Sequence, residues 1–246
     1  MANSTQTQKS ASRSTVALKV TMAITGLLFI AFLLVHMYGN LKMFLGPEEY
    51  NHYAMWLKGE IPAEQGGGLL NPILPGSTAV WGLRIVLLVS VILHMYSAFT
   101  LWSRAKTARG SVRYKVGHGV KLRPQKTYAA QTMRWGGVII VIWLVFHLLQ
   151  FTVLAVQPGG TYTHEEPYNN MVYAFSLWWI WLFYLVAMLA IALHVRHGVY
   201  SALATLGLST QARYNAFRAI ALIVALLLVI GFMAPPTAIL FGAITL

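Results

Sequence analysis

Five long apolar runs dominate the chain, at about 17–38, 78–102, 135–157, 171–195 with an extension beyond, and 216–241. A helix rises about 1.5 Å per residue, so each run is long enough to cross the roughly 30 Å hydrocarbon core of a bilayer. No sixth run of that length is present. The pattern predicts an all-α integral membrane protein with five transmembrane helices, the first four forming a bundle. Residues 1–16, rich in Ser, Thr, Gln and Ala, read as a solvated tail, and 17–246 as one transmembrane domain with connections at 39–77, 103–134 and 158–170. The first run is longer than a signal-peptide core and lacks a small-residue cleavage site after it, so the first helix is expected to be retained.

Composition agrees with that reading, since 57% of residues are hydrophobic and only 10% are charged, too few charges to cover a soluble core of this size. Charge also sets the orientation. Lys9, Arg13 and Lys19 precede the first run, and Arg104, Lys106, Arg109, Arg113, Lys115, Lys121, Arg123 and Lys126 fill the second connection, with Arg134 at its edge. Arg196, Arg213 and Arg218 mark the fourth. All six acids (Glu48, Glu49, Glu60, Glu64, Glu165, Glu166) lie in the first and third connections, with only Lys42 and Lys58 beside them. The positive-inside rule then predicts a cytoplasmic N-terminus and, after five crossings, an external C-terminus. The net charge of +12 follows from that topology rather than from nucleic-acid binding, for which no motif is present. The long basic connection is a candidate docking face for an acidic partner or for anionic lipid headgroups.

Cysteine is absent, which excludes disulfides, thiolate-held iron–sulfur clusters and thioether-linked haem, so any metal must be held by histidine. Four histidines each sit deep in a different apolar run: His36, His94, His147 and His194. Counted along each helix from the basic border, His36 is about 25 Å deep and His147 about 20 Å, whereas His94 and His194 are each about 15 Å deep. A single histidine in a transmembrane helix is commonly an interhelical hydrogen-bonding group. Four of them, one per helix and in two depth classes, point instead to two flat cofactors, each gripped between two imidazoles; haem is the leading candidate. Runs one and three cross in one direction and runs two and four in the other, so a four-helix bundle places His36 opposite His147 and His94 opposite His194. His197, three residues after His194 on nearly the same helix face, is the rival for the fourth position, but it follows Arg196 toward the aqueous border. His52, His118 and His164 lie in connections and read as solvated.

Other residues fit a large planar group without requiring one. Gly26, Gly82, Gly136, Gly137 and Gly198 permit close approach, of helices or of a porphyrin. Arg84, about two turns into the second run, is a candidate partner for a haem propionate or else a snorkelling cation. Arg134 with Trp135 has the same two readings, propionate contact or interfacial anchor, and His197 is a further candidate edge contact.

At these residues the chain resembles the dihaem cytochrome b membrane subunit of succinate dehydrogenases and fumarate reductases, in the class with a single five-helix subunit. The resemblance covers nearly the whole chain through LLVHMYGN, VILHMYSA, LVFHLLQF and LHVRHGVYSA, the last being the most specific because Gly198 follows His194 by four residues. It implies two haems b, with His36 and His147 holding the distal iron and His94 and His194 the proximal one. It implies partners on the cytoplasmic face, a flavoprotein and an iron–sulfur subunit, in the plasma membrane of a prokaryote, and it accommodates a higher oligomer of that complex. Electrons from succinate would then reach a membrane quinone, expected to be menaquinone, near the outer face. Glu60 and Glu64 are the candidate proton donors there, alongside ordinary solvation. Some fumarate-reducing members carry a glutamate two residues before the ligand of the fourth helix; Ala192 stands at that position, and runs two to five hold no Asp or Glu. Without such a proton path, electron transfer to an outward-facing quinone is coupled to the membrane potential, worth about 2.3 kcal/mol per charge per 100 mV. Two alternatives remain: a haem b anchor of another quinone-linked dehydrogenase, and a haem-free anchor or transporter. Cytochromes b that place two ligands on each of two helices are disfavoured, because each run here has one deep histidine.

Overall fold

The computed structural model describes residues 14–62, 64, 66–74, 76–109 and 124–246, with backbone only at 108–109 and 124–132. Arg13 and the tail before it, together with Arg113, Lys115, His118, Lys121 and Arg123, lie outside the described residues. Among the described residues, seven α-helices account for most of the structure: α1 (Thr15–Leu41), α2 (Pro47–Lys58), α3 (Thr78–Arg109), α4 (Pro124–Phe151), α5 (Pro167–Phe175), α6 (Trp178–Thr205) and α7 (Tyr214–Leu240). Five of them are long and apolar enough to cross a membrane. The protein is an all-α, multi-pass membrane protein.

Local sequence explains the ends. Ser14 caps α1 by accepting the Ala17 amide at 2.9 Å, which satisfies one of the orphan N–H groups of a first turn. α2 begins with Pro47 and two acids, Glu48 and Glu49, and stops at Gly59 in the left-handed conformation (φ 74°), the arrangement that the helix dipole and a glycine C-cap favour. This short helix interrupts what the hydropathy pattern presents as a plain connection.

Two boundaries differ from the sequence expectation. The third run was expected to continue to 157, but α4 ends at Phe151. The chain then turns through Leu154 (φ 58°), with the amides of Val153 and Ala155 returning to the carbonyls of Leu148 and Leu149. The fourth run was expected as one helix from 171. It is two: α5 ends at Phe175, and α6 starts at Trp178 after a break at Ser176–Leu177.

α6 is the axis of the molecule, with 39% of its most apolar stretch buried against 11% for α3 and for α4. It packs most extensively on α7 and α4; α1 packs on α3, α6 and α7. The four histidine-bearing helices thus run in the order α3, α1, α6, α4, and α7 backs the central two. The outward faces of α3 and α4 expose Ile85, Leu88, Ile92, Ile142 and Val145, as lipid contact requires. One end of the bundle is capped by α2 and α5. The Tyr168 amide donates to Asn51 Oδ1 at 3.0 Å, and Lys58 Nζ donates to the His164 carbonyl at 2.6 Å.

Candidate functional site

The structure brings the four deep histidines together in two pairs, those that depth alone predicts. The ring centroids of His36 on α1 and His147 on α4 are 6.0 Å apart, near the capped end. Those of His94 on α3 and His194 on α6 are 6.2 Å apart, toward the other end. Neither α1 with α4 nor α3 with α6 is among the closely packed helix pairs of the described residues. Each histidine pair therefore bridges two helices whose backbones stand apart.

That separation suits a metal held between two imidazoles. With a metal–nitrogen distance of about 2 Å and each nitrogen about 1.1 Å from its ring centre, the centroids of a bis-histidine site lie about 6.3 Å apart. Glycines stand beside one pair. A Cβ added to Gly26 would come within 3.4 Å of His94 Cε1, and one added to Gly137 within 3.9 Å of His194 Cε1. Gly82 and Gly198, by contrast, face open space.

Aromatic rings wall the other pair. Phe32 stacks on His36 at 5.4 Å and Trp143 stacks on His147 at 5.0 Å, each from one helical turn earlier, because helical side chains lean toward the N-terminus onto the preceding turn. Phe232 of α7 closes on His36 at 5.6 Å, and Phe151 on His147 at 5.6 Å. Phe29 meets His94 edge-on at 5.8 Å.

Buried polar groups ordinarily find partners, so each exception calls for an explanation. Among the described residues the unpartnered buried side-chain atoms are Ser97 Oγ, Trp143 Nε1 and His194 Nδ1. All three belong to, or lie within one turn of, a paired histidine. The described residues hold no cluster of three or more potential metal-ligating side chains, but bis-histidine ligation of a haem iron uses only two protein donors per metal. The two donors of each pair fit bis-histidine ligation of a haem iron.

Each pair has one histidine fixed by a hydroxyl on the adjoining helix. Thr25 Oγ1 of α1 donates to the Thr21 carbonyl at 2.8 Å and lies 2.9 Å from His94 Nδ1. Tyr184 of α6 donates to Gln150 Oε1 at 2.8 Å and lies 3.2 Å from His147 Nδ1. Gln150 is wholly buried; its amide donates to Tyr162, which donates onward to the Pro158 carbonyl at 2.9 Å. Burial pushes the Tyr162 phenol up to about 12, with the Gln150 hydrogen bond pulling the other way. Sequence reasoning did not single out Thr25, Tyr184, Gln150 or Tyr162. A threonine and a tyrosine in apolar helices give no signal until the neighbouring helix is known.

The remaining candidates stand apart from the pairs. His197 is exposed. Arg84 is exposed and lies over the Trp81 ring at 4.9 Å, and Arg134 lies over Trp102 at 5.3 Å. Trp135 is 67% exposed. Glu60 is exposed, 3.8 Å from Lys58, and Glu64 is exposed in the same connection. Compared with protein-family models, curated proteins and solved structures, the chain shows no match.

Proposed function

We propose that the chain is the dihaem cytochrome b membrane subunit of a succinate:quinone oxidoreductase in a prokaryotic plasma membrane, with the N-terminus cytoplasmic. The observation that supports this most is the two histidine pairs, each near the spacing of a bis-histidine iron and each spanning helices that do not pack closely. His94 and His194 would hold the haem nearer the cytoplasm and His36 and His147 the outer one. Bound haem would supply a one-electron carrier, and two histidine donors per iron would favour electron transfer over oxygen chemistry.

The protein's part is to place and insulate these carriers. The ten positions from Tyr184, beside His147, to His194 set the two sites about 15 Å apart along α6. The aromatic walls exclude water and fix the outer rings. By the positive-inside expectation, the basic connection at 103–134 would face the cytoplasm, where a flavoprotein and an iron–sulfur subunit would dock. The opposite face, with Glu60 and Glu64, is where a membrane quinone, menaquinone by expectation, would be reduced.

The test is a pyridine haemochrome assay with reduced-minus-oxidised spectra on the purified protein and on His94→Ala and His147→Ala. Two b haems per chain, one lost in each variant, is the expected result. No haem, or haem unaffected by either substitution, overturns the reading.

A further inference from the structure

We propose that Thr25 and Tyr184 are positioning residues that fix the tautomer of one ligand in each pair and set the reduction potentials of the two sites separately. The inference rests on the dihaem reading above, and starts from proton bookkeeping. A hydroxyl carries one proton, and Thr25 commits it to a carbonyl of its own helix, that of Thr21 at 2.8 Å or of Met22 at 3.3 Å. Its contact with His94 Nδ1 is then made by the ring nitrogen donating to the hydroxyl oxygen, with the Met22 carbonyl standing beside it as a second acceptor. His94 is thereby held as the Nδ1–H tautomer, with the Nε2 lone pair left to bind metal.

The same reasoning holds at the other site. Tyr184 commits its proton to Gln150 Oε1, so His147 Nδ1 donates to the phenol oxygen. Gln150 faces no choice either: its carbonyl is taken by Tyr184, and its amide donates to Tyr162, whose own proton goes to Pro158. The chain His147, Tyr184, Gln150, Tyr162, Pro158 therefore runs in a single donor direction from the ligand to the capped end. Each fixing bond also crosses a closely packed interface, α1 with α3 and α6 with α4. The rigid side of each site orients a histidine toward its mate across the wider gap. The structure gives His194 Nδ1 no such partner.

A histidine that donates from its second nitrogen is a more basic ligand, and a more basic ligand favours ferric over ferrous iron. Removing the acceptor raises the potential of that site alone. The test is a potentiometric titration of both haems in the purified complex, for Tyr184→Phe, Thr25→Val and Thr25→Ser. The component absent in His147→Ala identifies the outer haem, and the component absent in His94→Ala the inner.

Tyr184→Phe should raise the outer component by an amount equivalent to about tenfold in the ferric-to-ferrous affinity ratio, about 59 mV for one electron, and Thr25→Val should raise the inner one by less, because the Met22 carbonyl still accepts from His94. Thr25→Ser, which keeps the hydroxyl, should keep the native value. Selective loss of the matching haem also supports the positioning role. Two haems with unmoved potentials, an equal shift in both, or loss of both in one variant overturns it. A native protein without haem defeats instead the dihaem reading.

Discussion

Replacing Gly231 by alanine should destabilise the bundle through one side chain, Met37. Gly231 lies on α7 where it meets α1, and an added Cβ would stand 2.2 Å from Met37 Sδ, 2.7 Å from Cγ and 3.3 Å from Cε. Comfortable contacts between such atoms need about 3.5–4.0 Å, so more than 1 Å of overlap must be relieved. Met37 is only 7% exposed and has little room to turn. Overpacking of this kind costs about 1–3 kcal/mol. In a Met37→Ala background the new methyl enters space the thioether occupied, so only the gain of alanine over glycine in a helix interior remains and the same substitution should stabilise by about 1 kcal/mol. The two changes are therefore coupled by about 1–3 kcal/mol, in the range for residues in direct contact. Equilibrium unfolding by SDS in mixed micelles, on the two single variants and the double, measures the cycle. Additivity within about 0.5 kcal/mol would refute the argument, because it would mean that Gly231 and Met37 do not share that space.

Three further outcomes are expected. On the proposed dihaem reading, His197→Ala should keep both haems while His194→Ala loses the haem that His94→Ala loses, as read by haemochrome stoichiometry; the reverse would move the ligand one turn. Gly159→Ala places a Cβ 2.2 Å from the Tyr173 carbonyl at φ 88°, and that backbone strain costs about 1–3 kcal/mol before the clash is counted; limited proteolysis should cut the 152–166 connection faster, and unchanged protection would count against it. Burial raises the Tyr162 phenol to about 12, from about 10 in an unfolded chain. Its contribution to stability is thus whole below pH 10 and is lost as pH rises from 10 to 12. Tyr162→Phe should flatten that part of an alkaline stability curve, and an unaltered slope would show that the phenol does not titrate as described.

The helices that carry the paired histidines were legible in the sequence because a bilayer demands long uninterrupted apolar runs, and because depth can be counted along a helix from its charged border. The pairing followed from the same counting. What hydropathy could not resolve was a break inside continuous apolarity: MVYAFSLWW reads as one helix, although the chain bends at Ser176 and Leu177. The early end of α4 was hidden likewise, since Val153 and Leu154 are as apolar as the helix before them. α2 was legible and was passed over. Pro47, Glu48 and Glu49 at its start and Lys58 and Gly59 at its end are ordinary start and stop signals. Thr25 and Tyr184 depend on which helices adjoin, which no single helix records.

The order α3, α1, α6, α4 has a consequence for how the molecule fails. α3 is anchored chiefly through α1, and α4 chiefly through α6, so each flank can open as a separate unit without dismantling the centre. Opening α3 parts His94 from His194 and spares the other pair; opening α4 parts His147 from His36 and spares the first. The two histidine pairs should thus come apart separately on local unfolding, so that damage at one edge of the bundle leaves the other pair in place.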